Sequence, residues 1–434
     1  LIEFPYTLEY NESIKIDNKR VINYPSLILS PLNENDISLS IKSSKLCNFK
    51  YSILSGGHSA AGYCINDGGI TVNLARYLKN VKFLNNGIMS VQAGALWSDI
   101  YKVASTTSYL PIGGGCPTVA AGGFLLGGGW SFLSRSYGLG CDNIVSLRVA
   151  LANGEIVTAN STHNSDLLWA SKGGGGGNFG VVTSYEIQAH LPRSELMYIG
   201  EICYPPFEQP LIHNLWTWWF DIYPTLPDWM DITPVWLLMN IETHPTLKDL
   251  PHFKDTTSSR MFCFTVICNG NTDSECSPII KPLLETYPPA LNSLATTPFI
   301  DWQLANIDVT DAQDGFLYLT SGILQPNKLT VEHIDTLTEI LKNSPSERNL
   351  ILFHIGGGAI AKPSNTDTAF PHRSLQLMIQ IKGIWEDPSQ EEVNTKWVKD
   401  TRHYLDDVLS GSYINYIDSE LSNWKYQYYN VNYP

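Results

Sequence analysis

The chain has 434 residues, 43% hydrophobic and only 16% charged, which is material for a large core and too much length for one ordinary domain. Its formal net charge of −14 argues against nucleic acid or an anionic membrane as a partner, because both demand a basic face that displaces counterions. No apolar run is long enough to span a bilayer without a glycine or a charge interrupting it.

In chain order, Leu27-Ile28-Leu29 and Tyr51-Ser52-Ile53-Leu54 have the β-branched and aromatic content of strands. Between them Asn33-Glu34-Asn35-Asp36 offers side-chain oxygens to the free N–H groups of a helix predicted over 37–47. The second strand runs into Ser55-Gly56-Gly57-His58-Ser59. Residues 88–93 predict another strand and 96–108 a helix, followed by Gly113-Gly114-Gly115-Cys116-Pro117-Thr118-Val119 and a strand over 144–151. Both glycine-rich turns present one nucleophilic side chain. Glycine lets backbone N–H groups approach a ligand where a Cβ would clash, so such turns suit a pyrophosphate or a flat ring. A single histidine in a turn is ordinarily a surface residue and a single cysteine a small buried hydrophobe, so the context of the pair has to decide.

Gly175-Gly176-Gly177-Asn178-Phe179-Gly180 matches the dinucleotide fingerprint letter for letter. It fails on its surroundings: Val181-Val182-Thr183-Ser184-Tyr185-Glu186-Ile187 alternates like a strand, where the fingerprint requires a helix. No P-loop is present either. After Leu191-Pro192-Arg193 the composition changes, with Trp216, Trp218, Trp219, Trp229 and Trp236 crowded among prolines. A second domain is therefore expected, carrying long strands such as 261–267 and a helix over 330–341. The eight cysteines, Cys47, Cys64, Cys116, Cys141, Cys203, Cys263, Cys268 and Cys276, contain no CxxC pair, so no zinc site is expected. Cys268 and Cys276 flank a turn and are as readily two thiols as one disulfide. The sequons at Asn11 and Asn160, with a first residue other than Met, lean toward a processed, secreted or surface product.

The two turns are followed in order by Asn143-Ile144-Val145, Leu167-Leu168-Trp169-Ala170, the glycine run 173–177 and Tyr413-Ile414-Asn415-Tyr416-Ile417-Asp418. This succession, from about Tyr10 to Asn432, resembles the berberine-bridge-enzyme-like branch of the FAD-linked oxidases, which share the vanillyl-alcohol-oxidase fold. The resemblance implies an α+β, two-domain PCMH-type FAD-binding fold. Residues 1–192 would form the FAD-binding domain, 193–403 a substrate domain on an antiparallel sheet, and 404–434 a segment returning to the first domain.

It also implies bicovalent FAD, with His58 bonded to the 8α-methyl and Cys116 to C6 of the isoalloxazine, both electrophilic positions in the oxidised ring. Gly56, Gly57, Ser59, Gly115, Gly122, Gly123, Asn178, Gly180, Val182 and Asn415 fall on cofactor-binding segments. Val119 sits where the family controls access of dioxygen, valine there being associated with oxidases. Tyr416 matches the catalytic base, a role that needs a neighbour able to stabilise phenolate, since an ordinary tyrosine titrates near ~10.

Phe370-Pro371-His372-Arg373 and the strand ending at Trp385 match a further segment and place Gln380 on the substrate side. Met378 departs from the polar residue many relatives carry. His354 lies near an acidic position of carbohydrate-oxidising relatives, and Trp130 where others line the pocket with tyrosine. The Trp216, Trp218 and Trp219 cluster is a domain core or an extended sugar platform. The expected activity is oxidation of an alcohol carbon, most of all the anomeric carbon of a sugar or oligosaccharide, with dioxygen reduced to hydrogen peroxide. Aromatic or allylic alcohols are the alternative substrates, and a surface or structural protein that merely keeps the fold is the alternative of another class.

Overall fold

The computed structural model describes residues 1–242, 247, 258–305, 315–325 and 327–433. The chain begins with a four-stranded sheet of β1 (Ile2–Glu3), β2 (Leu27–Leu29), β3 (Tyr51–Leu54) and β4 (Ile70–Asn73), in the order β1-β2-β4-β3. β2, β4 and β3 run parallel, and all four residues of β4 are buried, as a strand covered on both faces must be. The helix expected from residue 37 starts earlier, at Glu34–Leu46. Asn33 alone is the cap, its Oδ1 accepting from the N–H groups of Asn35 and Asp36, so Glu34 and Asp36 become an acidic first turn that suits the positive helix end. The helix expected over 96–108 is confined to Trp97–Ala104.

A five-stranded antiparallel sheet follows: β5 (Val81–Phe83), β6 (Ile88–Gln92), β7 (Ile144–Ala150), β8 (Ile156–Asn160) and β9 (Val181–Gln188), ordered β5-β6-β9-β7-β8. The segment after the glycine run is thus a strand, as its alternation predicts. Helices Trp97–Ala104 and Ala121–Leu126 pack with these strands into one core.

The third sheet has nine strands: β10 (Met197–Tyr204), β11 (Met230–Asn240), β12 (Ser258–Cys268), β13 (Leu291–Asn292), β14 (Ala295–Thr297), β15 (Phe316–Leu324), β16 (Leu350–Ile355), β17 (Leu377–Trp385) and β18 (Leu409–Gly411). Every pairing described in it is antiparallel. Side chains alternate between its faces. One face, with Trp236, Phe262, Phe264, Phe353, Ile379 and Ile381, is covered by helices Gln209–Ile222, Ser277–Thr286, Val331–Lys342 and Glu391–Tyr404.

The tryptophan cluster belongs to this core and is no sugar platform. Trp216 and Trp219 are wholly buried, Trp216 lies 5.1 Å from Phe353 and 5.6 Å from Trp219, and the Trp219 indole N–H donates to the Ile232 carbonyl at 2.7 Å. Each such edge-on aromatic pair contributes about 0.5–1.5 kcal/mol beyond the area it buries. Cys203 and Cys263, facing each other across β10 and β12, form a disulfide, and so do Cys268 and Cys276.

The opposite face of the large sheet turns toward the first half of the chain. Cross-strand register places His354 opposite Met378, and Gln380 between Leu352 and Ser321. Residues after Tyr404 tie the two halves together. β18 pairs with β15, the Tyr413 hydroxyl accepts from the N–H groups of Gly129 (2.8 Å) and Trp130 (3.2 Å), and Asn415 donates to the Phe124 carbonyl at 2.9 Å. Among the described residues no helix is long and apolar enough to cross a membrane.

Candidate active site

The two glycine turns meet. A Cβ on Gly56 would stand 2.7 Å from the backbone nitrogen of Ala120, so only glycine lets the His58 turn lie against the segment after Cys116. His58 and Cys116, 58 positions apart, come to share one hydroxyl: Thr118 Oγ1 is 3.0 Å from His58 Nε2 and 3.4 Å from Cys116 Sγ. The other imidazole nitrogen, Nδ1, is 2.6 Å from the carboxylate of Asp17. Gly57 takes a φ of +77°, and Ser59 follows in the same turn. Gly115 packs under the Phe132 ring, while Val119 lies against the first core and its carbonyl accepts from the Trp97 N–H at 3.0 Å.

The remaining glycines divide by what surrounds them. A Cβ on Gly122 would meet the Ala93 carbonyl oxygen at 2.8 Å, and one on Gly180 the Ala150 carbonyl oxygen at 2.6 Å, so contact between chain segments accounts for both. Gly123, Gly176 and Gly177 have nothing within 4 Å of where a Cβ would stand. Open space bordered by bare backbone is what a flat ring and a pyrophosphate need, so FAD fits this cradle. Asn178 braces the loop by donating to the Gly174 carbonyl at 2.7 Å, and Val182 is buried in β9 behind it.

Tyr416 and His354, 62 positions apart, form the second group. The Tyr416 hydroxyl is 3.3 Å from His354 Nε2, and the Trp130 ring lies 5.8 Å from the His354 ring. Tyr413 stands edge-on to Tyr416 at 5.1 Å. Burial pulls the His354 imidazole down to about 4, so it is neutral at ordinary pH and its Nε2 can accept the phenol hydrogen. Burial, reinforced by the charges available at Tyr413 and Cys116, raises the Tyr416 phenol above its ordinary value. The neighbour expected to stabilise phenolate is therefore a neutral proton acceptor, not a cation. Gln380 is two positions beyond Met378, the cross-strand partner of His354. A cleft of about 210 Å³ is lined by Asn18, Arg20, Ala60, Leu319, Ile417 and Glu420, among others, but by neither His58 nor Tyr416.

Sequence reasoning did not single out Asp17, Thr118 or Tyr413. Thr118 and Tyr413 lie inside the quoted motifs, whereas Asp17 precedes them and touches His58 only through the fold.

Buried acids and bases also shape stability. His354 and His372 are both pulled down to about 4 by burial, while burial pushes the Asp231 carboxyl up to about 7. Between about pH 4 and 6.5 the unfolded chain binds a proton at each histidine that the native state refuses, and the native state binds one at Asp231 that the unfolded chain lacks. Each proton is worth about 1.4 kcal/mol per pH unit. The histidines thus lose stability on acidification and Asp231 opposes one of them. Asp231→Asn is expected to make unfolding free energy, followed by urea titration, fall about 1.4 kcal/mol per pH unit more steeply than wild type over that window.

The chain is similar to known proteins in sequence and in fold. A model of the FAD binding domain matches residues 25–160. The FAD-linked oxidoreductase YgaK of Bacillus subtilis (strain 168) is 26% identical over 432 residues, 98% of this chain and 89% of that protein. Berberine bridge enzyme-like 22 of Arabidopsis thaliana is 27% identical over 431 residues, 92% of this chain and 76% of that one. A solved chitooligosaccharide oxidase superposes with a TM-score of 0.81 at 21% identity, over 100% of this chain and 92% of that chain, a likeness of fold. The protein is an FAD-linked oxidoreductase with the PCMH-type α+β fold. Berberine-bridge-enzyme-like proteins are among the relatives it resembles in sequence, and solved members share its fold.

Proposed function

We propose that this protein is an oxidase of hydroxylated carbon, most of all the anomeric carbon of a sugar or oligosaccharide, with FAD held covalently by His58 and Cys116. When bound, FAD would supply the hydride acceptor and the redox chemistry for reduction of dioxygen to hydrogen peroxide. The observation that carries the reading is the Tyr416 hydroxyl set 3.3 Å from a neutral His354. Tyr416 takes the proton of the substrate hydroxyl as its own proton shifts to His354 Nε2, so no standing phenolate is required in a site that disfavours one. Asn415 and Tyr413 hold this segment against the glycine turn at 127–129. Gln380 and Trp130 are assigned to the substrate, the amide as a hydrogen-bonding group and the indole as a face for a sugar ring. Val119 is assigned to the path of dioxygen.

A sugar is favoured over an aromatic or allylic alcohol by the Trp130 indole, whose ring lies 5.8 Å from the His354 ring and offers a face for a sugar ring. Two disulfides and the exposed sequon residue Asn11 support a secreted or surface location. The test is peroxide release from a panel of reducing mono- and oligosaccharides beside benzylic and allylic alcohols. Turnover confined to reducing sugars, with a lactone as first product, is expected. Peroxide only from the other alcohols overturns the sugar assignment, and none from any compound despite bound flavin makes the protein a structural one.

A further inference from the structure

A cleft of about 460 Å³ opens between β15, helix Glu391–Tyr404 and the segment 418–427, with Tyr318, Thr320, Lys399, Arg402, Asp418 and Gln427 in its wall. Neither the glycine turns nor Tyr416 line it. Two of its wall groups have no hydrogen-bond partner among the described residues: the hydroxyl of Thr320, a residue 1% exposed, and the Nε–H of Arg402, 9% exposed. We infer that this cleft is a second ligand site, distinct from the flavin cradle, for a neutral polyhydroxylated molecule the size of a mono- or disaccharide. The inference stands whichever alcohol the flavin oxidises.

Buried polar groups ordinarily find partners, so two orphans in one wall mark a place where a further group is wanted. The volume falls within the ~300–1,000 Å³ of small-molecule sites. The wall decides the chemistry, because its charges are already matched to one another. Lys399 Nζ is 2.6 Å from Glu420 Oε2, Arg402 Nη1 is 2.9 Å from Asp406 Oδ1, and the Tyr318 hydroxyl donates to Asp418 Oδ1 at 2.8 Å. His403, the remaining ionisable side chain, is exposed and lies 2.7 Å from the same Asp406. Three carboxylates thus stand against Lys399 and Arg402, a balance that disfavours phosphate, sulfate or an organic acid. A flat aromatic ligand finds no bare ring to stack on, since the Arg20 guanidinium and the Lys399 ammonium lie over the Tyr318 ring at 5.3 and 5.5 Å. The rest of the wall is amide and hydroxyl, with Leu421 its one aliphatic residue. Sugar hydroxyls, each donor and acceptor at once, can give to the carboxylates and accept from Arg402 and Lys399.

The cleft lies behind the strand that anchors the catalytic segment. Side chains alternate along β15, so Tyr318 and Thr320 face the cleft while Leu319 and Ser321 face the active site. Leu319 belongs to an apolar cluster on which Tyr416 packs, and Ser321 Oγ accepts from the Tyr413 N–H at 3.0 Å. Arg402 donates to Ser412 Oγ at 3.2 Å and to Gln427 Oε1 at 3.3 Å, and Asp418 follows Tyr416 by two positions. The same side chains that would hold the ligand therefore fix both ends of the stretch 412–418. The smaller cleft of about 210 Å³ shares Tyr318, Asp418 and Glu420 with this one, which gives a second ring room beside the first.

The test uses the full chain with its flavin and methyl β-cellobioside, which has no free anomeric hydroxyl to oxidise. Binding is measured by titration calorimetry for wild type, Thr320→Val, the double variant Lys399→Ala with Glu420→Ala, and Trp130→Ala. Thr320→Val keeps the shape and removes an unpartnered hydroxyl, so its melting temperature without ligand should equal or exceed wild type. The Lys399–Glu420 pair is about half exposed and contributes little to the fold, so its loss leaves a folded chain as well. The glycoside is expected to bind wild type, to bind Thr320→Val and the double variant at least fivefold more weakly, and to bind Trp130→Ala within twofold of wild type. No binding to wild type, wild-type affinity in both cleft variants, or weakening in Trp130→Ala alone overturns the inference. Inorganic phosphate or benzyl alcohol binding at the cleft in place of the glycoside overturns the assigned ligand class. None of these results bears on the oxidase reading, which peroxide release tests separately.

Discussion

Tyr416→Phe is expected to keep its FAD and its fold while the rate at which substrate reduces the flavin falls about 1,000-fold, within the ~10²–10⁴ that positioned acid–base groups supply. The substitution removes one oxygen. The Tyr416 ring packs edge-on against Tyr413 at 5.1 Å and against the His354 ring at 6.0 Å, contacts that phenylalanine preserves. The hydroxyl's only hydrogen bond among the described residues is to His354 Nε2, so its loss leaves no other buried group stranded. Rapid-mixing measurement of flavin bleaching under anaerobic conditions isolates this step from reaction with dioxygen. Undiminished bleaching in the variant takes Tyr416 out of the mechanism.

The second large effect belongs to His354. His354→Ala is expected to slow the same step about 100-fold, and His354→Gln, which offers an acceptor for the phenol hydrogen but no site for its proton, to be nearly as slow. Because the two residues act on one proton, the costs are not additive: Tyr416→Phe combined with His354→Ala should be hardly slower than Tyr416→Phe alone. The pH profile is a separate readout. His354 is held down to about 4 by burial, so wild-type reduction should be level above about pH 5 and decline as pH falls through 4, where the imidazole protonates and ceases to accept. A glutamine variant with wild-type rate and profile assigns His354 to packing.

The parts of this molecule that could be read in advance are those governed by local chemistry. The His58 and Cys116 turns stand out because glycine is the residue that permits such backbone, and the strand after Gly180 follows from simple alternation. Helix ends moved by several residues because capping is settled by one side chain: Asn33 takes both Asn35 and Asp36, and the residues thought to precede the helix become its first turn. The tryptophans invited a ligand role, although Trp216 and Trp219 are three apart and so share one face of their helix, which is the face of a core. Cys268 and Cys276 could not be settled from spacing, and Cys203 with Cys263, 60 positions apart, carries no signal short of the register of β10 with β12. Asp17 and His354 show the same limit. Each earns its place only through a partner that the fold brings from far along the chain.

The most direct test of the account is the intact mass of the purified chain after acid precipitation. The account predicts a yellow pellet, a mass raised by one FAD, and peptide mapping that finds the same flavin on His58 and on Cys116. A colourless pellet at the unmodified mass, with all pigment in the supernatant, contradicts it.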